Sequence, residues 1–103
     1  MAKSIALTNP IKVTEDAVIS AVPGRIIAVQ LNGGTDASSM LFHNNASSAA
    51  GDPIYSIVAP FTNVDASSQA SVFVELPGDG IACSVGCYVD WSGTAAVGWV
   101  WFE

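Results

Sequence analysis

Short runs of apolar residues alternate with turn-forming residues along the whole of this 103-residue chain. Pro, Gly, Asn and Asp recur between runs rich in Val, Ile, Phe, Tyr and Trp, a rhythm typical of short β-strands joined by turns. No segment of useful length repeats apolar residues at the spacing of an amphipathic helix. The pattern predicts these strands: Ile11–Val13, Ala17–Ala21, Arg25–Leu31, Ser39–Asn44, Ile54–Ala59, Ser71–Leu76, Ile81–Val85, Cys87–Trp91 and Ala96–Phe102.

Alternation within the strands predicts which side chains point inward, because successive residues of a strand face opposite sides of a sheet. Two strands have short inward sets: Ile27, Val29 and Leu31 in one, and Val72, Val74 and Leu76 in the other. The longest alternation places one set on a single face: Ile81, Cys83, Val85, Cys87, Val89 and Trp91. It fits one long strand kinked at Gly86, or two strands meeting there.

The last strand is apolar on both faces. One face carries Val97, Trp99 and Trp101, and the other carries Val100 and Phe102. A strand that is apolar on both faces needs cover on both, so we expect the domain core on one side and a partner subunit on the other. The candidate interface residues are Val97, Trp99, Val100, Trp101, Phe102, Tyr88 and Trp91.

These strands predict an all-β protein, a single antiparallel β-sandwich of the jelly-roll type. Residues 11–103 form the predicted sandwich, and residues 1–10 form an N-terminal arm that could extend over a neighbouring subunit. The sequence Asn32-Gly33-Gly34 is a hairpin signal between two of the strands.

Charge narrows the choice of partners. Only 12% of the residues are charged and the formal net charge is -6, with Lys3, Lys12 and Arg25 as the only Lys or Arg residues. Three scattered cations are too few for a phosphate-binding stripe or for an anionic membrane surface. No apolar run is long enough for a signal peptide or a membrane span. We therefore expect neither a nucleic-acid nor a membrane partner, and synthesis in a cytoplasm.

Candidate catalytic chemistry is sparse. His43 is the only histidine, and a Ser-His-Asp arrangement would need a nearby serine (Ser38, Ser39, Ser47 or Ser48) with Asp36 or Asp52 behind it. No motif in the sequence enforces that geometry. We predict no catalytic residue and interpret His43 as a polar residue at a strand end, with a small enzyme centred on His43 as an alternative.

Cys83 and Cys87 would lie about 13 Å apart on an extended strand, whereas a disulfide needs Cα atoms within about 7 Å. Only a tight turn at Val85-Gly86 would bring them together, so two buried free thiols are expected. A metal site would need a further soft ligand, and the acidic residues in turns fit solvated turn caps. We predict no metal and no cofactor.

Aromatic side chains leave a second alternative open. Stacking on sugar rings would need exposed aromatic faces in a row, and the candidates are Trp91, Trp99, Trp101, Tyr55 and Tyr88. The competing interpretation is that Trp99 and Trp101 belong to the core or to a subunit interface, where aromatic residues are enriched.

Several segments resemble a widespread group of small virion proteins of tailed phages. They are Lys3–Pro10, Pro23-Gly24-Arg25, Asn32–Thr35, Leu41–Asn45, Gly80-Ile81 with Gly86–Asp90, and Ser92–Thr94, followed by the aromatic last strand. The resemblance implies a β-sandwich that cements or decorates a capsid, or builds a head or tail appendage, commonly as a trimer. It implies a location on the capsid surface after synthesis in the host bacterial cytoplasm, with major capsid or other virion proteins as partners. The sugar-binding alternative corresponds to a carbohydrate-binding module or a receptor-binding fibre or tail tip.

Overall fold

The computed structural model describes residues 9–59 and 71–103. In these residues the chain is all-β, and every predicted strand is present with ends within two residues of the prediction. No helix capable of crossing a membrane occurs in this part of the chain. The strands are β1 (Ile11–Val13), β2 (Ala17–Ser20), β3 (Gly24–Asn32), β4 (Ser38–His43), β5 (Tyr55–Ala59), β6 (Ser71–Glu75), β7 (Ile81–Cys83), β8 (Cys87–Ser92) and β9 (Val97–Phe102).

The strands form two antiparallel sheets packed face to face. Sheet A has the order β1-β9-β3-β6, with β7 pairing β3 beyond the end of β6, and sheet B has the order β2-β8-β4-β5. The pairs β1·β9, β2·β8, β3·β6 and β4·β5 are nested along the chain, as in a long hairpin rolled into a sandwich. The predicted jelly-roll-like β-sandwich is confirmed.

The core lies between the sheets. Inward-facing side chains from both sheets fill it, and burial of their apolar surface is the main stabilising term. The cluster comprises Val13, Ile19, Ile26, Val29, Leu31, Met40, Phe42, Ile57, Ala59, Leu76, Cys83, Cys87, Val89 and Val100. Val72 and Val74 pack against it, so the predicted inward set of β6 is confirmed.

One predicted inward position on β3 is wrong. The register of β3 against β9 shifts between Ile26 and Ala28, and such a bulge adds one residue to one strand. As a result Ile26 joins the core cluster in place of Ile27, which is buried outside that cluster.

The long alternation from Ile81 to Trp91 is broken in the middle. It resolves into two strands in different sheets, β7 in sheet A and β8 in sheet B. The chain crosses between the sheets at Ser84–Gly86, so Val85 is 51% exposed and its predicted inward position is wrong. A side chain at Gly86 would collide with the Ser20 carbonyl and Ala46, which accounts for glycine at this crossing.

The hairpin predicted at Asn32-Gly33-Gly34 is also wrong. Strand β3 belongs to sheet A and β4 to sheet B, so this connection crosses between the sheets. The backbone N–H of Thr35 donates to the Thr94 carbonyl at 2.9 Å, and a side chain at Gly34 would overlap that same carbonyl. The glycine therefore serves the close approach of two loops.

Candidate functional site on the outer face of sheet A

Strand β9 divides its side chains between the core and the outside. Val100 is completely buried in the core and Phe102 packs against it. Val97, Trp99 and Trp101 alternate with these residues, so they point away from the core, and each is only partly buried. The expected split of β9 into an inner and an outer set is therefore present.

Sheet register arranges the outward side chains of sheet A in rows that run across the strands. The first row is Lys12, Trp99, Gln30 and Phe73 on β1, β9, β3 and β6. The second row is Trp101, Ala28 and Glu75, and the third is Val97, Asn32 and Ser71. We call these residues, together with Arg25 and Glu103 at the far end, the outer face of sheet A.

Two aromatic rings meet across β3 on this face. The rings of Phe73 and Trp101 pack edge to face, with centroids 5.7 Å apart and an interplanar angle of 90°. Ala28 lies on β3 between their two strands and is completely buried, so its small side chain leaves room for the rings to close over it. Such edge-to-face pairs are favourable beyond the area they bury, yet Phe73 is still 53% exposed.

Polar side chains next to the aromatic rings are held in place by each other. Gln30 Nε2 donates to Asn32 Oδ1 at 3.0 Å, and Ser71 Oγ donates to the same oxygen at 2.7 Å. This chain of hydrogen bonds orients the two amides beside Trp99. The face therefore combines apolar rings with positioned hydrogen-bonding groups, as binding surfaces do.

The charges of this face cancel. Its charged residues are two cations, Lys12 and Arg25, and two carboxylates, Glu75 and Glu103. The backbones of Arg25 and Glu103 exchange hydrogen bonds of 3.0 and 2.9 Å, which places the two residues side by side. The remaining charged residues of the described chain are all acidic: Glu15, Asp16, Asp36, Asp52, Asp79 and Asp90.

The other interface candidates lie elsewhere. Tyr88 points outward from sheet B, where it is paired with Val18 and His43. Trp91 packs against the core, and its backbone N–H is bound by Asp16 Oδ1 at 2.7 Å. Because Trp91, Val100 and Phe102 point inward, the outer face of sheet A retains only Val97, Trp99 and Trp101 of the candidate set.

His43 ends β4, as expected, but it is only 4% exposed. Neither ring nitrogen has a hydrogen-bond partner among the residues that the structure describes. Ser38 Oγ instead donates to the Asp36 carbonyl at 3.2 Å. The contacts that would turn His43 into a general base are therefore not formed within this part of the chain.

Cys83 and Cys87 are buried thiols on opposite sheets that face each other across the core. Burial raises the pKa of both. A hydrogen bond from the Cys87 thiol to Cys83 raises the pKa of Cys87 further and partly offsets the rise for Cys83. The crossing at Ser84–Gly86 makes this approach possible. Residues 9–59 and 71–103 hold no group of three or more His, Cys, Asp or Glu placed to bind a metal.

Sequence reasoning missed the role of two turn residues. Asp36 does not cap its own turn: its carboxylate accepts the Thr94 backbone N–H at 2.8 Å and the Thr94 hydroxyl at 3.0 Å. Asn44 Oδ1 accepts the Val85 N–H at 2.8 Å and Asn44 Nδ2 donates to Ser84 Oγ at 3.0 Å. Both residues fasten loops that are far apart in sequence, and no local pattern indicates such partners.

Strand order and burial define the chain as an all-β sandwich, and within residues 9–59 and 71–103 the outer face of sheet A is the sheet face that carries a pair of packed outward aromatic rings. No family model matches the chain, and neither a curated protein nor a solved structure matches it.

Proposed function

We propose that this protein is a non-enzymatic virion structural protein, a capsid cement or decoration subunit that binds and stabilises a phage head as a homo-oligomer. The observation that carries the binding role is the cluster of Trp99, Trp101 and Phe73 on the outer face of sheet A. Clustered aromatic side chains on an open face are typical of protein interfaces. The assignment to a virion comes from the sequence resemblance, which also favours a trimer.

The experiment is recovery of the protein on particles. Virions purified from a culture of the phage that encodes this protein should contain the protein. Heads from which the protein has been stripped should rebind it when it is added back in purified form. Trp101→Ala should reduce rebinding at least tenfold, because it removes half of the edge-to-face pair. Val58→Ser, a change at an exposed position of sheet B, is the control and should rebind normally. Virions free of the protein, together with stripped heads that do not bind it, would overturn the proposal.

A carbohydrate-binding role is the second candidate. Trp99 and Trp101 stand two residues apart on one strand beside the amides of Gln30 and Asn32, and stacking rings next to amides are suited to sugars. A glycan array would test it. Binding that is lost in Trp99→Ala and kept in Val58→Ser would favour this role, whereas an array without signal would exclude the glycans it contains.

A further inference from the structure

We propose that the outer face of sheet A pairs with the same face of a second copy of this chain, about a two-fold axis parallel to the strands between β3 and β9. The inference rests on the proposed function in so far as that function makes this face a binding surface, and it assigns a two-fold pair where the resemblance favours a trimer. It adds the partner, the symmetry and the contacting charges.

Charge favours this face for self-association. The chain carries a net charge of -6, so two copies repel each other at most orientations. On the outer face of sheet A two cations balance two carboxylates, whereas the other described charges are acidic. Two copies therefore meet here without bringing a surplus of negative charge together.

The positions of the charges select the axis. The order β1-β9-β3-β6 means that a two-fold axis parallel to the strands lays β1 of one copy over β6 of the other, and β9 over β3. Lys12 on β1 then comes to β6 of the second copy, the strand that carries Glu75. Arg25 on β3 comes to Glu103 of the second copy, which directly follows β9. Each contact occurs twice because a two-fold interface is isologous.

The alternative two-fold axis, perpendicular to the strands within the interface, lays each strand over its own copy. It brings Lys12 towards Lys12 of the second copy, and like charges placed opposite each other are unfavourable. The two arrangements thus predict opposite effects of neutralising the charge at position 12: Lys12→Gln removes a favourable contact in the first and a repulsion in the second.

The position of Phe73 agrees with the first axis. With β6 over β1, the exposed Phe73 ring comes to the ammonium group of Lys12 of the second copy, a favourable cation–π arrangement.

The face is modest in area. Four strands about 4.8 Å apart and rows about 6.8 Å apart give a patch roughly 20 Å across, at the small end of specific interfaces. We therefore expect a dissociation constant in the micromolar range that rises with salt concentration, because the charge pairs lie at a solvated rim.

A charge swap tests the pairing. Lys12→Glu and Glu75→Lys should each weaken dimerisation at least tenfold in analytical ultracentrifugation, and the double variant should recover to within about threefold of the original. Within one chain these residues are three strands apart, about 14 Å, which is beyond the screening length at physiological salt. Recovery would therefore report a contact between copies. Glu15→Lys changes the net charge as Glu75→Lys does and should leave dimerisation intact.

Several outcomes would overturn the inference. They are a double variant that stays monomeric, a Lys12→Gln variant that dimerises more tightly, and a mass of three chains in place of two. A protein that stays monomeric at several hundred micromolar but still binds stripped heads would refute the pairing and leave the head-binding part of the proposed function standing. A monomer that dimerises only after deletion of residues 1–8 would show that the arm occupies the face, and would refute it too.

Discussion

The inner faces of the two sheets are alike, whereas their outer faces differ in which side chains they carry. Both alternate apolar inward residues with outward ones, yet the outer face of sheet A gathers Trp99, Trp101 and Phe73 into one patch. The outer side of sheet B separates its apolar residues with serines and an aspartate, for example Ser39, Ser56 and Asp90 beside Leu41 and Val58.

The contrast between the outer faces distinguishes apolar surface that folding requires from apolar surface that it does not require. A sandwich needs one apolar face on each sheet, and the inner faces supply both. Single exposed apolar residues such as Val18 and Val58 on sheet B are ordinary for a protein surface. A contiguous aromatic patch rimmed by charges is less ordinary, and it is the observation that supports the proposed binding role. Within the described residues, the difference between the outer faces is therefore the main support for that proposal.

The largest expected effect compares an inner ring with an outer one. Phe42→Ala should lower the free energy of unfolding by about 3–5 kcal/mol, because it opens a cavity between the sheets. Trp101→Ala should cost less, about 2 kcal/mol in the dissociated chain, since the ring is only partly buried and its loss opens no cavity between the sheets. Urea denaturation at low protein concentration measures both. Equal losses would mean that the outer ring is as important to the fold as the core.

The sequence predicted the strands because their apolar alternation and turn residues are local signals. It also predicted the division of β9 into two faces. It did not predict that Val85 is exposed, because the crossing between sheets depends on which strands pair. The sequence did not predict the bulge between Ile26 and Ala28 either, because the bulge depends on the pairing of β3 with β9. The Phe73–Trp101 contact brings together residues from β6 and β9 across a third strand, and only the strand order reveals it.

The next effect concerns the thiols between the sheets. Burial raises the pKa of Cys83 and Cys87 above the usual 9.0, so the folded chain retains protons that the unfolded chain loses. Stability should be constant below pH 9 with respect to these groups and fall above it, by up to about 1.4 kcal/mol per pH unit for each thiol. Urea denaturation from pH 8 to 11 measures the slope.

The matched control is a variant with both cysteines replaced by alanine, which keeps every other group that titrates at alkaline pH. Its stability should be lower at pH 8 but should fall less steeply above pH 9. Identical slopes in the two proteins would show that the thiols are not held protonated by the core, and that the two sheets are less tightly closed around them.

A smaller effect is expected at His43, which is buried at the end of β4 in sheet B. A buried polar group without a partner is unfavourable, and an apolar replacement of similar size is near neutral or stabilising. His43→Leu should therefore raise the free energy of unfolding by up to about 1 kcal/mol, and His43→Ala should lower it by leaving a cavity. A clear loss of stability in His43→Leu would reveal a partner for the imidazole and revive a chemical role for it.

The smallest expected effect on stability sharpens the comparison most. Phe73 on sheet A and Val58 on sheet B are 53% and 55% exposed, so burial within the chain does not distinguish them. Phe73→Ser and Val58→Ser should each change the free energy of unfolding of the dissociated chain by no more than about 1 kcal/mol. Their effects on assembly should nevertheless differ: Phe73→Ser removes the partner of Trp101 and should weaken self-association and head binding at least tenfold, whereas Val58→Ser should leave both intact. If the two variants assemble equally well, the aromatic patch is not a binding surface, and the contrast between the outer faces has no functional meaning.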